Sequence, residues 1–174
     1  KEHRQAPNTA LHLLIDLSGS MAGGKGRLAL DAAMALALAL EPLSGASRAV
    51  SAFPGRYGQD EQVTGLVAHG ARVRRHAGAF VQSARGGTPM TGALWFAAAD
   101  LLARTEERKV IITLTDGVPN DVPSALDLIQ RATQAGVECI GVGIQTDVSR
   151  LFPLAIRIDD IAELKRELFC IAER

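Results

Sequence analysis

At 174 residues the chain has the length of one ordinary domain, enough to bury a continuous core without disulfides or a structural metal. Lys plus Arg and Asp plus Glu number 19 each, so the overall charge offers no attraction to nucleic acid or to an anionic membrane, and function has to reside in a local site. The two cysteines, Cys139 and Cys170, have no CxxC spacing and no nearby histidine pair; both read as small buried hydrophobes in a reducing compartment.

Residues 1–10 form a polar lead-in that lacks the apolar core of a secretory signal. The abrupt passage into an apolar run suggests a domain of a larger protein, with 11–174 as the domain itself and the cytoplasm as the expected location. Leu11 to Asp16 is apolar without alternation and ends in a carboxylate, the pattern of a parallel strand buried on both faces. A glycine-rich loop, Gly19 to Gly26, leads into a helix over Arg27 to Leu40, where Ala and Leu occupy nearly every face until Pro42 stops the pattern. The apolar stretch from Leu28 to Leu40, broken by Asp31, is shorter than the roughly twenty residues that cross a bilayer.

Arg48 to Phe53 reads as a second strand. The stretch from Pro54 to Arg85 is glycine-rich and irregular, with Gln62 to Ala68 a short edge strand. Thr91 to Arg104 is a helix carrying Leu94, Trp95, Ala98, Leu101 and Leu102, and Trp95 is expected in its core stripe because it cannot share a face with Phe96. Lys109 to Leu114 is another apolar strand, again followed by a carboxylate, Asp116. Pro123 opens a helix running to about Gln134, Gly136 closes it, and Val137 to Ile144, Leu154 to Ile158 and a helix from about Ile161 complete the chain. This alternation calls for an α/β fold: a doubly wound, mostly parallel sheet with helices on both faces and an antiparallel strand at one edge.

Ligands of such sheets bind beyond the C-terminal strand ends, and three loops bring oxygen donors there. In Asp16-Leu17-Ser18-Gly19-Ser20 alternate positions point the same way, so Asp16, Ser18 and Ser20 converge. Gly86-Gly87-Thr88 presents the Thr88 hydroxyl ahead of a helix, and Thr115-Asp116-Gly117 adds a second carboxylate. Hard oxygen donors without imidazole or thiolate suit Mg²⁺ above all, with Mn²⁺ and Ca²⁺ as alternatives. Two carboxylates and three hydroxyls leave such an ion electrophilic, with an open position for one more anionic ligand.

At every one of these positions the chain resembles the metal-ion-dependent adhesion site of the von Willebrand factor A family: DxSxS at Asp16 to Ser20, the glycine-preceded Thr88, and TDG at Thr115 to Gly117. The resemblance covers almost the whole chain. It implies a Rossmann-like fold in which Ser18, Ser20 and Thr88 contact the ion directly or through water and Asp16 and Asp116 hold its water shell. The partner protein then supplies Glu or Asp. A less specific likeness links Gly141-Val142-Gly143-Ile144, Asp147-Val148-Ser149-Arg150 and Ile158-Asp159-Asp160-Ile161 to the terminal segment of CobT-type cobaltochelatase subunits. Related domains of the NorD and CbbO type work beside MoxR-class AAA+ ATPases, which implies a non-enzymatic adaptor.

Three rival readings stand beside this one. Gly19, Gly24 and Lys25 satisfy the phosphate-loop spacing GxxxxGK, and Val110 to Asp116 resembles the strand that ends in a metal-binding aspartate of nucleotide hydrolases. Gly26, however, replaces the Ser or Thr that should bind the nucleotide's Mg²⁺. A hydrolase is disfavoured because neither Ser18 nor Ser20 lies in GxSxG and no histidine falls at a strand end. A fold of this type with a purely structural role needs no metal at all, since Asp and Ser are ordinary turn residues. His12 and His69 read as structural or surface side chains, and Arg72, Arg74, Arg75 and His76 as a solvated face.

Overall fold

Every residue of β1 (Thr9–Asp16) is buried, so this strand needs cover on both faces, and the chain supplies it with helices above and below. The computed structural model describes residues 8–56 and 63–173; most of the polar lead-in and Gln62, the first residue of the expected edge strand, lie outside them. After β1 come α1 (Lys25–Leu40), β2 (Ala46–Phe53), β3 (Thr64–Val67), α2 (Met90–Leu102), β4 (Arg108–Thr115), α3 (Val122–Gln134), β5 (Val137–Ile144), β6 (Leu154–Ile158) and α4 (Ile161–Glu173). The sheet order is β3-β2-β1-β4-β5-β6, parallel throughout except that β3 runs antiparallel to β2 at the edge. The direction of winding reverses between β1 and β4, and the crevice beyond their C-terminal ends is the topological switch point of the fold.

Alternation along β1 divides the interior into two cores. Leu11, Leu13 and Ile15 pack with Leu30, Leu36, Leu164 and Leu168 of α1 and α4. Ala10 and Leu14 pack on the other face with Leu94 and Leu101 of α2 and Ile129 of α3. α3 begins where its residues dictate: the Asp121 side chain caps the Ser124 N–H at 3.0 Å, Pro123 sits in the first turn, and Gly136 at φ +92° closes the far end.

Three expectations are corrected. Trp95 and Leu102 are exposed, at 67% and 49%, because the buried stripe of α2 is Met90, Ala93, Leu94, Ala97, Ala98 and Leu101. Trp95 follows Leu94 directly and is turned about 100° away from that stripe, lying beside Asp127 and Arg131 of α3. Cys170 is exposed, since α4 faces the core with Leu164, Leu168 and Ile171, whereas Cys139 is buried as expected. Within the stretch expected to be irregular, Val73–Phe80 forms a 3₁₀ helix pinned by buried Val73 and Phe80 at its two ends. Its Arg72, Arg74, Arg75 and His76 face solvent.

The glycines of β5 have a packing role. A methyl group on Gly141 would lie 2.3 Å from the Phe152 ring, and one on Gly143 would lie 2.1 Å from the Thr146 carbonyl oxygen. Gly143→Ala must displace backbone and is expected to cost about 3 kcal/mol, seen as a lower urea midpoint at unchanged slope. Gly65→Ala, with open space around it, is expected to stay within about 0.5 kcal/mol of the parent.

Candidate metal site

The five oxygen-bearing side chains singled out in the sequence meet at the switch point. A methyl group built on Gly117 would lie 3.5 Å from Ser20 Oγ, 3.8 Å from Asp16 Oδ2 and 3.9 Å from Thr88 Oγ1, so donors from all three loops border one small space that the glycine leaves open. Ser18 Oγ stands 3.2 Å from Ser20 Oγ, and Ser20 Oγ donates to Asp116 Oδ1 at 2.7 Å. The floor is buried: Asp16, Ser18 and Thr88 are at most 8% exposed, and Ser20 forms the exposed rim. A pocket of oxygen donors bordered by two carboxylates and open at one side fits a hard divalent ion.

Backbone hydrogen bonds hold the loops in register. Leu17 N–H donates to the Phe53 carbonyl at 2.7 Å, Arg85 N–H to Leu17 at 2.7 Å, and Gly19 N–H to Gly86 at 2.9 Å, which ties the first loop to β2 and to the Thr88 loop. Thr88 is fixed by Asn120: its N–H donates to Asn120 Oδ1 at 2.9 Å and its carbonyl accepts from Asn120 N–H at 3.0 Å. Gly87 packs closely beside this contact: a methyl group there would lie 3.1 Å from the same amide oxygen, so Asn120 would have to shift by a few tenths of an ångström.

Burial pushes the Asp16 carboxyl above the usual carboxylate range, the hydrogen bonds from Thr115 and Ser18 partly oppose this, and the nearby Asp116 charge adds to the rise. The opposing bonds are Thr115 Oγ1 to Asp16 Oδ2 at 2.5 Å and the Ser18 N–H to Asp16 Oδ1 at 2.8 Å. Asp116 has a cationic partner instead, Lys25 Nζ at 2.9 Å from Oδ2.

Thr115, Asn120 and Lys25 are the functional contributors that sequence reasoning missed. Thr115 was visible only as the first letter of the TDG motif, and no motif marks Asn120. Lys25 was visible only as the lysine of a phosphate loop. In the structure the Gly19, Met21 and Ala22 N–H groups of that loop donate to the Gly86, Ser18 and Gly19 carbonyls, and Lys25 Nζ is paired with Asp116. Because Asn120 positions Thr88, Asn120→Ala is expected to weaken Mg²⁺ binding about tenfold in calorimetric titration while the protein stays folded by circular dichroism.

The von Willebrand factor type A domain model matches residues 11–155. No curated protein matches the chain. Among solved structures, the pilus adhesin SpaC from Lactobacillus rhamnosus GG superposes with a TM-score of 0.79 at 18% identity, covering 98% of this chain and 31% of the adhesin. Proximal thread matrix protein 1 from the mussel byssus, solved with a zinc-occupied adhesion-site motif, gives 0.73 at 18% identity over 97% of this chain and 46% of that one. Manganese-loaded Plasmodium vivax TRAP protein gives 0.57 at 20% identity over 94% and 63%. The chain therefore spans less than a third of the length of the pilus adhesin.

Proposed function

Starting from a chain that belongs to the von Willebrand factor type A family, we propose that Asp16, Ser18, Ser20, Thr88 and Asp116 hold a divalent cation, Mg²⁺ by preference, that captures a carboxylate of a partner protein. The observation that carries this reading is the Lys25–Asp116 ion pair. Two carboxylates and one ammonium leave the site with one negative charge, enough to attract a divalent ion, and the bound ion turns that balance to one positive charge. A site that becomes cationic on loading favours one further anionic ligand, and an Asp or Glu side chain satisfies it with a single charge. Hard oxygen donors support Mg²⁺ or Mn²⁺ over zinc, and the zinc- and manganese-bearing relatives are consistent with a cation site in this fold. In this reading the module's role is binding, not catalysis.

Within this reading the domain is the recognition module of a cytoplasmic complex driven by a MoxR-class AAA+ ATPase of the chelatase or remodelling kind. The support is the terminal segment's likeness to CobT-type subunits. The glycines at 141 and 143 already have a packing explanation, so that support rests on Asp147 to Arg150 and Ile158 to Ile161. Among the described residues no helix is long and apolar enough to cross a membrane.

Two measurements test the metal-dependent mechanism. Saturating Mg²⁺ is expected to raise the melting temperature, by about 2.7 kcal/mol of added stability at a hundred times the dissociation constant, and the shift should vanish in Asp16→Ala. A peptide library panned on the Mg²⁺-loaded protein should yield ligands released by EDTA and dependent on one Asp or Glu. Lys25→Ala should bind Mg²⁺ roughly tenfold tighter yet hold those peptides more weakly, because the loaded site is then closer to neutral. Peptides retained equally in EDTA and by Asp16→Ala would refute the mechanism.

A further inference from the structure

On the α2 face of the sheet, away from the strand ends, three side chains that the adhesion site does not use come together. His12 lies midway along β1, His69 two residues beyond β3, and Asp100 near the C-terminal end of α2. One ligand atom from each lies within 4.8 Å of the others, and among the described residues no other trio of His, Cys, Asp or Glu converges in this way. His12 Nδ1 and His69 Nε2 stand 2.9 and 2.8 Å from the same oxygen, Asp100 Oδ2. We propose that His12, His69 and Asp100 form a second cation site, selective for a borderline metal, zinc, and chemically distinct from the oxygen-only site at the switch point.

Ligands of tetrahedral zinc stand roughly 3.3 Å apart, given metal–ligand distances of about 2.0–2.2 Å, so each histidine nitrogen has to part from Asp100 Oδ2 by a few tenths of an ångström and the two nitrogens, within 4.8 Å of each other, have to take up the same spacing. His12 has the supporting contacts that a zinc ligand requires. His12 is 2% exposed, and Ser51 Oγ lies 2.9 Å from its other ring nitrogen, Nε2, which lets that nitrogen carry the proton and turns Nδ1 toward the metal. The ring is held edge-on to Phe96, centroids 5.7 Å apart.

The trio opens onto a cleft of about 490 Å³ that His76 and Arg104 also line. Arg104 is paired with Glu106 at 2.8 Å, so its charge is not directed unopposed at the site. His76 Nδ1 donates to the Arg72 carbonyl at 3.0 Å, because a carbonyl can only accept, and its Nε2 lone pair is left free on the cleft. Water or that nitrogen completes the fourth position. A zinc ion here would fasten β1, the end of the edge strand and α2 together across sequence separations of 88 and 31 residues.

The test uses the full chain carrying Asp16→Ala and Ser18→Ala, which removes the adhesion-site donors and any zinc they would attract. After chelator treatment, calorimetry with Zn²⁺ is expected to show one equivalent bound in this background, with a rise in melting temperature. Binding should fall at least a hundredfold on adding either His69→Gln or Asp100→Asn, each with its fold verified by circular dichroism. Absence of that equivalent, or its persistence in both additional variants, would overturn the proposal. Mg²⁺ titration of His69→Gln in the otherwise native chain reads the adhesion site alone, so failure of one site is distinguishable from failure of the other.

Discussion

Two like charges placed at the ends of adjacent strands are the constraint around which this fold is arranged. Parallel pairing of β1 with β4 brings Asp16 and Asp116 to the same crevice, and both carboxylates are buried, with little water to stabilise their charges. The chain answers with directed partners. Thr115 and the Ser18 N–H hold Asp16, Ser20 and Lys25 hold Asp116, and each of these contacts fixes a loop as well as a charge. Electrostatic relief and loop geometry are thus one set of interactions. Removing a donor loosens the backbone that presents the others.

α2 connects this crevice to the rest of the molecule. It begins two residues after Thr88 and carries Asp100 at the tenth residue after Met90, roughly 15 Å along its axis. One helix therefore borders an oxygen-rich space at one end and an imidazole-rich cleft near the other. In the two proposed sites the donor types would separate the cation preferences: hard ions for the first, borderline ions for the second.

Much of this was legible because it is local. Leu11 to Asp16 and Val137 to Ile144 lack polar alternation, which only a doubly covered sheet explains, and Pro123 and Gly136 bracket α3 by backbone chemistry that acts within a few residues. The donors of the crevice were readable because each sits on a short motif at a strand end. What escaped depends on contacts across the fold. Trp95 looked like a core residue because its neighbours are apolar, but its direction is set by where Leu94 and Ala98 point. Lys25 matched a phosphate-loop spacing, and its ion pair with Asp116 joins residues 91 apart. His12, His69 and Asp100 carry no motif at all, because their proximity is created by the β2–β1 pairing and the seat of α2.

The sheet is also bounded in a way that limits how another chain can attach to it. Its outermost strands are short, four residues in β3 and five in β6, and β3 breaks register with β2 between Val50 and Ser51. A partner arriving as an extended strand would find little ladder to lengthen on either flank, and the irregular pairing disfavours docking there further. Recognition by backbone zippering is thereby suppressed. Under the proposed function a partner would be held at the C-terminal strand ends by a few side-chain atoms, and its attachment would be reversed by withdrawing an ion instead of by peeling a strand.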